Sequence, residues 1–157
     1  MIESIGRYIE EHRFFKGLAP RYVEVLTGCA SNRRYNAGDF IFRQGDPASH
    51  FYLIRHGSVS IEVSGGDRGS LILQTLSADD VLGWAWIVPP YVHRFDARVA
   101  TLTRVTALDG ACLRGKFDAD PDLGYEMLRR FVAVMTDRLE MTRLQLLDLY
   151  GSHAATA

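Results

Sequence analysis

Residues 36–63 read NAGDFIFRQGDPASHFYLIRHGSVSIEV, and this stretch decides the fold. Ala37-Gly38-Asp39, Gln44-Gly45-Asp46-Pro47 and His56-Gly57 each join a glycine, which tolerates positive φ, to turn-forming neighbours. Between these turns lie residues 40–43, 50–55 and 58–63, rich in β-branched and aromatic side chains and too short for stable helices. In the last of them Val59, Ile61 and Val63 alternate with Ser58, Ser60 and Glu62. That period of two marks a strand with one face buried.

Working outward, the 157 residues with 47% apolar content suit one domain with a real core. Eighteen basic and nineteen acidic residues nearly cancel, so charge gives no basis for wrapping nucleic acid. Cys29 and Cys112 stand far apart in apolar surroundings, and the expectation is two buried free thiols rather than a disulfide framework or an iron–sulfur cluster. No basic n-region precedes an apolar block at the start, and the apolar run 81–88 ends at Pro89-Pro90, too short for a bilayer. The expected location is the cytoplasm, with no membrane contact.

Ile2, Ile5, Ile9 and Phe14-Phe15 recur at helical spacing, and Pro20 suits the first turn of a second helix through about Ala30. The polar run 64–70 connects two strands; because strand 71–76 follows it rather than a helix, it is not a phosphate loop. Later strands fall at 95–102 and 105–108, and helix begins near Gly110. Asp120 caps and Pro121 opens a long helix in which Leu128, Val132, Met135, Leu139, Thr142, Leu146 and Leu149 form an a/d seam. The seam predicts a parallel helical homodimer, the alternative being packing on the chain's own barrel. Asp118, Asp120 and Asp122 alternate as in a calcium loop, but Leu123 stands where glycine is needed and Arg129 where a bidentate glutamate belongs.

The order a-G-x-x-I-x-x-q-G-D-p-a-x-x-x-Y-l-I-x-x-G-x-v-x-v, carried by Gly38, Ile41, Gln44, Gly45, Asp46, Pro47, Tyr52, Ile54, Gly57, Val59 and Ile61, resembles the cyclic-nucleotide-binding domain of catabolite-activator-type regulators and cyclic-nucleotide-dependent kinases. The resemblance implies a mainly β fold with flanking helices: a double-stranded β-helix (jelly-roll) barrel with N-terminal helices, a short cassette helix and a long C-terminal dimerisation helix. The expected division of the single domain 1–157 is helices over 1–30, barrel over 31–109, helices over 110–150 and a tail over 151–157.

In that family the cyclic phosphate sits in a cassette, F-G-E, a brief helix, a loop, then R-[ST]-A-x-V. The glutamate holds the ribose hydroxyl, the arginine neutralises the phosphate, and helix N–H groups complete the cradle. Here Gly83 keeps the glycine and Trp84 stands for the glutamate, followed by Ala85. Anchoring on Ala97-x-Val99 puts Phe95 where the arginine belongs and Asp96 where serine or threonine belongs. Alternation expects Phe95, Ala97 and Val99 on one face and Arg94, Asp96 and Arg98 on the other. A charge-assisted hydrogen bond contributes about 1.5–3 kcal/mol. Losing two removes about 3–6 kcal/mol, or roughly a hundredfold to ten-thousandfold in affinity.

Arg94 and Arg98 are the substitute cations, or else surface charges paired with Asp96. Trp84, Trp86, Pro89, Pro90 and Tyr91 either fill the cavity or reshape it for a flatter ligand. His93, without a partner at metal spacing, does not argue for a metal or haem. Arg138-Leu139-x-x-Thr142 resembles the catabolite-activator segment whose threonine contacts adenine across the dimer, which makes Thr142 a candidate cross-dimer ligand contact.

Those regulators continue into a helix-turn-helix, and this sequence ends at Ala157, so no direct DNA binding is expected. No nucleophile motif or Walker loop argues for an enzyme. The reading is a non-enzymatic regulatory sensor, taking cyclic AMP, cyclic GMP or another small ligand and answering to an unidentified protein partner. The alternative is a dimeric interaction or structural module that has lost its ligand, with Trp84 or Phe95 plugging the cavity.

Overall fold

The computed structural model describes residues 2–156, with the side chains of 4–67 and 69–151. The side chains of Ile2, of the hairpin residue Arg68 and of the tail beyond Gly151 lie outside those described. Two compact units divide the chain, Met1–Ala119 and Asp120–Ala157.

The first unit is built on two long antiparallel strands. β3 (His50–Ser64) pairs with β6 (Asp96–Asp109) from His50↔Asp109 to Glu62↔Asp96. Each long strand changes its second partner halfway. β6 pairs with β2 (Phe40–Phe42) near its start and with β1 (Ala30–Tyr35) towards its end. β3 pairs with β5 (Val81–Leu82) and then with β4 (Ser70–Ser77). The result is a six-stranded antiparallel sheet.

Alternating side chains supply two apolar faces. One carries Phe42, Tyr52, Ile54, Val59, Leu76, Leu82, Ala97, Val105 and Ala107. On the other side of β3, Phe51 meets Phe14 of the 3-10 turn Arg13–Phe15, which follows α1 (Ile2–Glu11) and precedes α2 (Pro20–Thr27). The second helix stops three residues earlier than expected, and Ala30 already belongs to β1.

Gly57 corrects the expectation of a turn between two strands. It lies inside β3, at φ +105, where the register with β6 slips between His56 and Ser58. This is a bulge that bends one continuous strand. A Cβ there would sit 2.3 Å from Thr103 Oγ1 and 2.5 Å from the Leu102 carbonyl oxygen. Thr103 uses the space, accepting from the Ser58 N–H at 3.2 Å and donating to the Thr101 carbonyl at 2.8 Å. The two late strands expected at 95–102 and 105–108 are likewise one, β6.

Cys29 and Cys112 are a second correction. They form a disulfide across 83 residues of sequence, with Cα atoms 5.8 Å apart. The sheet causes this: Ala30 pairs with Leu108, so the residues just before β1 and just after β6 meet, and the Asp109 N–H donates to the Cys29 carbonyl at 2.9 Å. Cys112 follows in the first turn of α3 (Gly110–Ala119), its N–H held by Asp109 at 2.8 Å.

The second unit is α4 (Pro121–Thr156), which opens as expected on Pro121 with Asp120 accepting from the Leu123 N–H at 3.3 Å. It runs beyond Tyr150 into the segment expected as a tail.

Gly57→Ala is expected to destabilise far more than Gly38→Ala. Both glycines have positive φ, but a Cβ at Gly38 meets nothing within 4 Å. The backbone cost alone is about 1–2 kcal/mol, and crowding at Gly57 adds roughly 1–3 kcal/mol. Parallel thermal melts test this; equal shifts would refute the close-packed bulge.

Candidate functional site

The cassette runs from Gly83 to Arg98, and the structure builds it without the expected short helix. Between β5 and β6 the chain makes turns, with Ile87 N–H to the Trp84 carbonyl at 3.2 Å and Tyr91 N–H to the Val88 carbonyl at 2.9 Å. Pro89-Pro90, joined by a cis bond, supplies no N–H to propagate a helix. The helical anion cradle of the resemblance is therefore missing.

Gly83 forms a close-packed turn. Its φ is +88, and a Cβ would lie 3.4 Å from the His50 carbonyl oxygen and 3.7 Å from His93 Cε1. Trp84 and Ala85 are half-buried, whereas Trp86 is fully buried. Trp86 stacks on Phe51 at 6.0 Å and tilts against Phe117 of α3 at 6.0 Å. Its backbone carbonyl accepts from Arg114, whose guanidinium also covers the Tyr91 ring at 4.2 Å. The cassette is thus fastened to α3 by an aromatic wedge and one arginine.

Its exit is fastened to the Gln44–Pro47 turn. Gly45 N–H donates to the His93 carbonyl at 2.9 Å, His93 N–H to the Asp46 carbonyl at 3.0 Å, and Ala48 N–H to the Tyr91 carbonyl at 2.8 Å. Asp96 completes the seam, accepting from the Gln44 N–H at 2.7 Å. Spacing along the chain does not reveal this clamp; the turn-forming Gln44-Gly45-Asp46-Pro47 is its one visible half.

Ala97 and Val99 are buried, as alternation requires, but Phe95 precedes β6 and is 44% exposed. It does not plug the interior. Arg94 is exposed, and Arg98 covers the Phe40 ring at 5.6 Å beside Arg43 at 4.4 Å. Among the described residues neither Arg94 nor Arg98 pairs with Asp96, contrary to the surface-pair expectation; the carboxylate is directed to Gln44 instead. On α4, the hydroxyl of Thr142 donates to the Arg138 carbonyl at 2.9 Å, and Leu128, Val132, Met135, Leu139, Leu146 and Leu149 are all exposed.

Three histidines have pKa values held below the ordinary imidazole value, chiefly by burial. His93 is buried with its ring stacked on Phe42 at 3.5 Å, and burial lowers its pKa against the opposing pull of Asp46. His50 is lowered by burial and by Arg33, whose guanidinium can only donate to Nε2 at 3.0 Å, with Asp109 acting the other way. His12 is lowered chiefly by burial, and its Nδ1 accepts the Phe14 N–H. Among the described residues no group of three or more His, Cys, Asp or Glu side chains could hold a metal. No described helix is long and apolar enough to cross a membrane.

The cyclic nucleotide-binding domain model matches residues 32–120. A protein named as a potassium channel of Rhodopseudomonas palustris is 29% identical over 119 residues, covering 76% of this chain and 28% of its own length. The chain thus spans about a quarter of that relative. A cyclic nucleotide-binding domain from Methylobacillus flagellatus superimposes with a TM-score of 0.78 at 18% identity, covering 94% of this chain and 83% of that one. The regulatory subunit of a cAMP-independent protein kinase A from Trypanosoma brucei does so with a TM-score of 0.72 at 19% identity, covering 92% and 51%. These likenesses show the jelly-roll fold.

Folded pKa values below about 6.5 mean that the unfolded chain takes up protons first as pH falls. Stability contributed by the neutral histidines is complete above that pH and declines below it, by at most about 1.4 kcal/mol per pH unit for each group. Thermal melts between pH 7.5 and 5 should show this loss, and His93→Gln should reduce its slope. An unchanged slope in that variant would refute a buried neutral His93.

Proposed function

This chain belongs to the cyclic nucleotide-binding domain family, and from that premise we propose that it is a regulatory sensor module whose altered cassette holds cyclic AMP or cyclic GMP only weakly. The observation that carries the reading is the replacement of both ligand-anchoring side chains. Trp84 stands for the glutamate and Phe95 for the arginine, and Phe95 is exposed rather than turned to an anchoring role. Asp96 adds a carboxylate engaged with Gln44, and the turns of 84–92 offer no helix N-terminus. An anionic phosphate therefore finds neither a fixed cation nor a helix dipole there.

The sensor reading is favoured over a plugged interaction module by where the aromatics go. Phe95, one of the two candidate plugs, lies outside the interior at 44% exposure and Trp86 packs on the Phe51 side of β3, while Trp84, the other candidate, is only half-buried. The Trp86–Phe117 contact and the Arg114 hydrogen bond give a route by which a ligand that displaces the cassette also moves α3. Such a ligand is flatter and less charged than a cyclic nucleotide, as the tryptophans and prolines favour. The module acts without catalysis, in the cytoplasm, through a protein partner rather than DNA.

Calorimetric titration of the chain with cyclic AMP and cyclic GMP tests the cassette argument. Dissociation constants near millimolar are expected, and Trp84→Glu with Phe95→Arg should tighten binding by at least about tenfold, since each restored anchor contributes roughly 1.5–3 kcal/mol. Micromolar binding by the unaltered chain would refute it.

We also propose that the chain forms a homodimer along α4. Six seam residues, Leu128, Val132, Met135, Leu139, Leu146 and Leu149, are exposed at alternating spacings of three, four and seven along the helix. Leu139→Lys should lower the sedimenting mass by dissolving this contact. An unchanged mass would sink the seam.

A further inference from the structure

We propose that the outward face of β1, β6 and β3 docks a phosphate monoester carried by a partner protein, through Arg34, Arg104, Arg55 and His56. In the sheet register Arg34 pairs with Arg104 and Arg104 with His56, a row of three basic side chains across three strands. The slip between Ile54 and His56 sets Arg55 and His56 together against Arg104. Val105 belongs to the interior cluster and Tyr35 packs against it, so Arg104 and Arg34 point outward by alternation. All four side chains are exposed, and Arg55 lies over the Tyr8 ring, 4.5 Å from its centroid. Like charges directly opposite each other destabilise a sheet. The chain has nineteen acidic residues, yet among the described residues none of these four basic ones forms an ion pair. The cluster is thus left for an anion from outside.

The donors select the anion. Opposed Cβ atoms in a sheet are about 5 Å apart, so the Arg34 and Arg104 guanidinium groups can close on a single group. One arginine fork already satisfies the two oxygens of a carboxylate. A phosphate monoester brings three oxygens and a charge of about −1.5 to −2, enough for two forks and an imidazole N–H. The setting selects the carrier. Small phosphates are held in concave pockets, and this sheet face is open, so the phosphate arrives on a chain that makes further contacts. Nucleic acid spreads its charge along a backbone and takes about six to ten phosphate contacts, against one cluster here and a net charge of −1. A phosphorylated segment of a partner protein presents the concentrated charge that clustered arginines recognise. None of the four residues belongs to the cassette, so this site stands or falls apart from cyclic nucleotide binding.

Titration with a short glycine peptide carrying one phosphoserine, followed by nuclear magnetic resonance, tests the site. The amide signals of Arg34, Arg104 and His56 should shift and saturate with the phosphopeptide and stay still with its unphosphorylated form. Arg34→Gln and Arg104→Gln should each weaken binding by at least about tenfold. Arg104→Lys, which keeps the charge but not the fork, should weaken it too, whereas Lys116→Gln on α3 should leave it unchanged. Absence of saturation, or undiminished affinity in Arg34→Gln, overturns the proposal. Tighter binding to phosphatidylserine vesicles or to a DNA duplex overturns it as well, marking a membrane or nucleic-acid surface instead. A second measurement needs no ligand. At low salt Arg104→Gln should hold or raise the melting temperature, because it removes a like-charge pair. A lower melting temperature would show these cations already satisfied within the fold and overturn the site.

Discussion

The close approach of β3 and β6 at Gly57 and Thr103 is the constraint on which the rest depends. Among the irregularities that let two strands of this length stay paired, the one at Gly57 requires a position with no side chain. The bulge at Gly57 turns β3, and Thr103 fills the gap with a hydroxyl bonded on both sides. With that bend in place β3 meets β5 before it and β4 after it, and β6 meets β1 and β2 at opposite ends. The ladder also brings Cys29 beside Cys112 and the end of β5 beside His50, which is where the cassette begins.

From that frame the cassette inherits a particular rigidity. It is fixed at one side by Trp86 and Arg114 to α3, and at the other by Asp96 and the His93 backbone to the Gln44–Pro47 turn. Hydrogen bonds to a carboxylate contribute more than neutral ones, about 1.5–3 kcal/mol each. Asp96 therefore serves the scaffold by holding the Gln44 N–H.

Much of the fold was legible because local chemistry and tertiary structure agreed. The strand over residues 58–63, the Asp120-Pro121 helix start and the turn glycines at 38 and 45 read correctly, but the alternation did not give one buried face, because Ser60 and Glu62 are buried while Ile61 and Val63 are only partly so. Where reading failed, the deciding contact was distant. A glycine of positive φ looks the same in a hairpin turn and in a bulge; the difference at Gly57 is Thr103, far along the chain. The cysteine pair depends on Ala30 meeting Leu108, which no spacing reveals. Phe95 looked like a strand residue by alternation, but the strand begins only at Asp96 once Gln44 has captured that carboxylate. The missing cassette helix is the one failure that local residues could have foretold, since Pro89-Pro90 withholds two N–H groups.

The central claim is that this jelly roll keeps the family's frame without its phosphate anchor. The most direct measurement follows the backbone amide signals of Gly83, Gln44 and Asp96 by nuclear magnetic resonance while cyclic AMP is added. The account predicts that these signals drift without saturating below about millimolar ligand, the affinity left when two charge-assisted bonds are absent. Saturation at micromolar cyclic AMP, with shifts confined to residues 83–98, would contradict it.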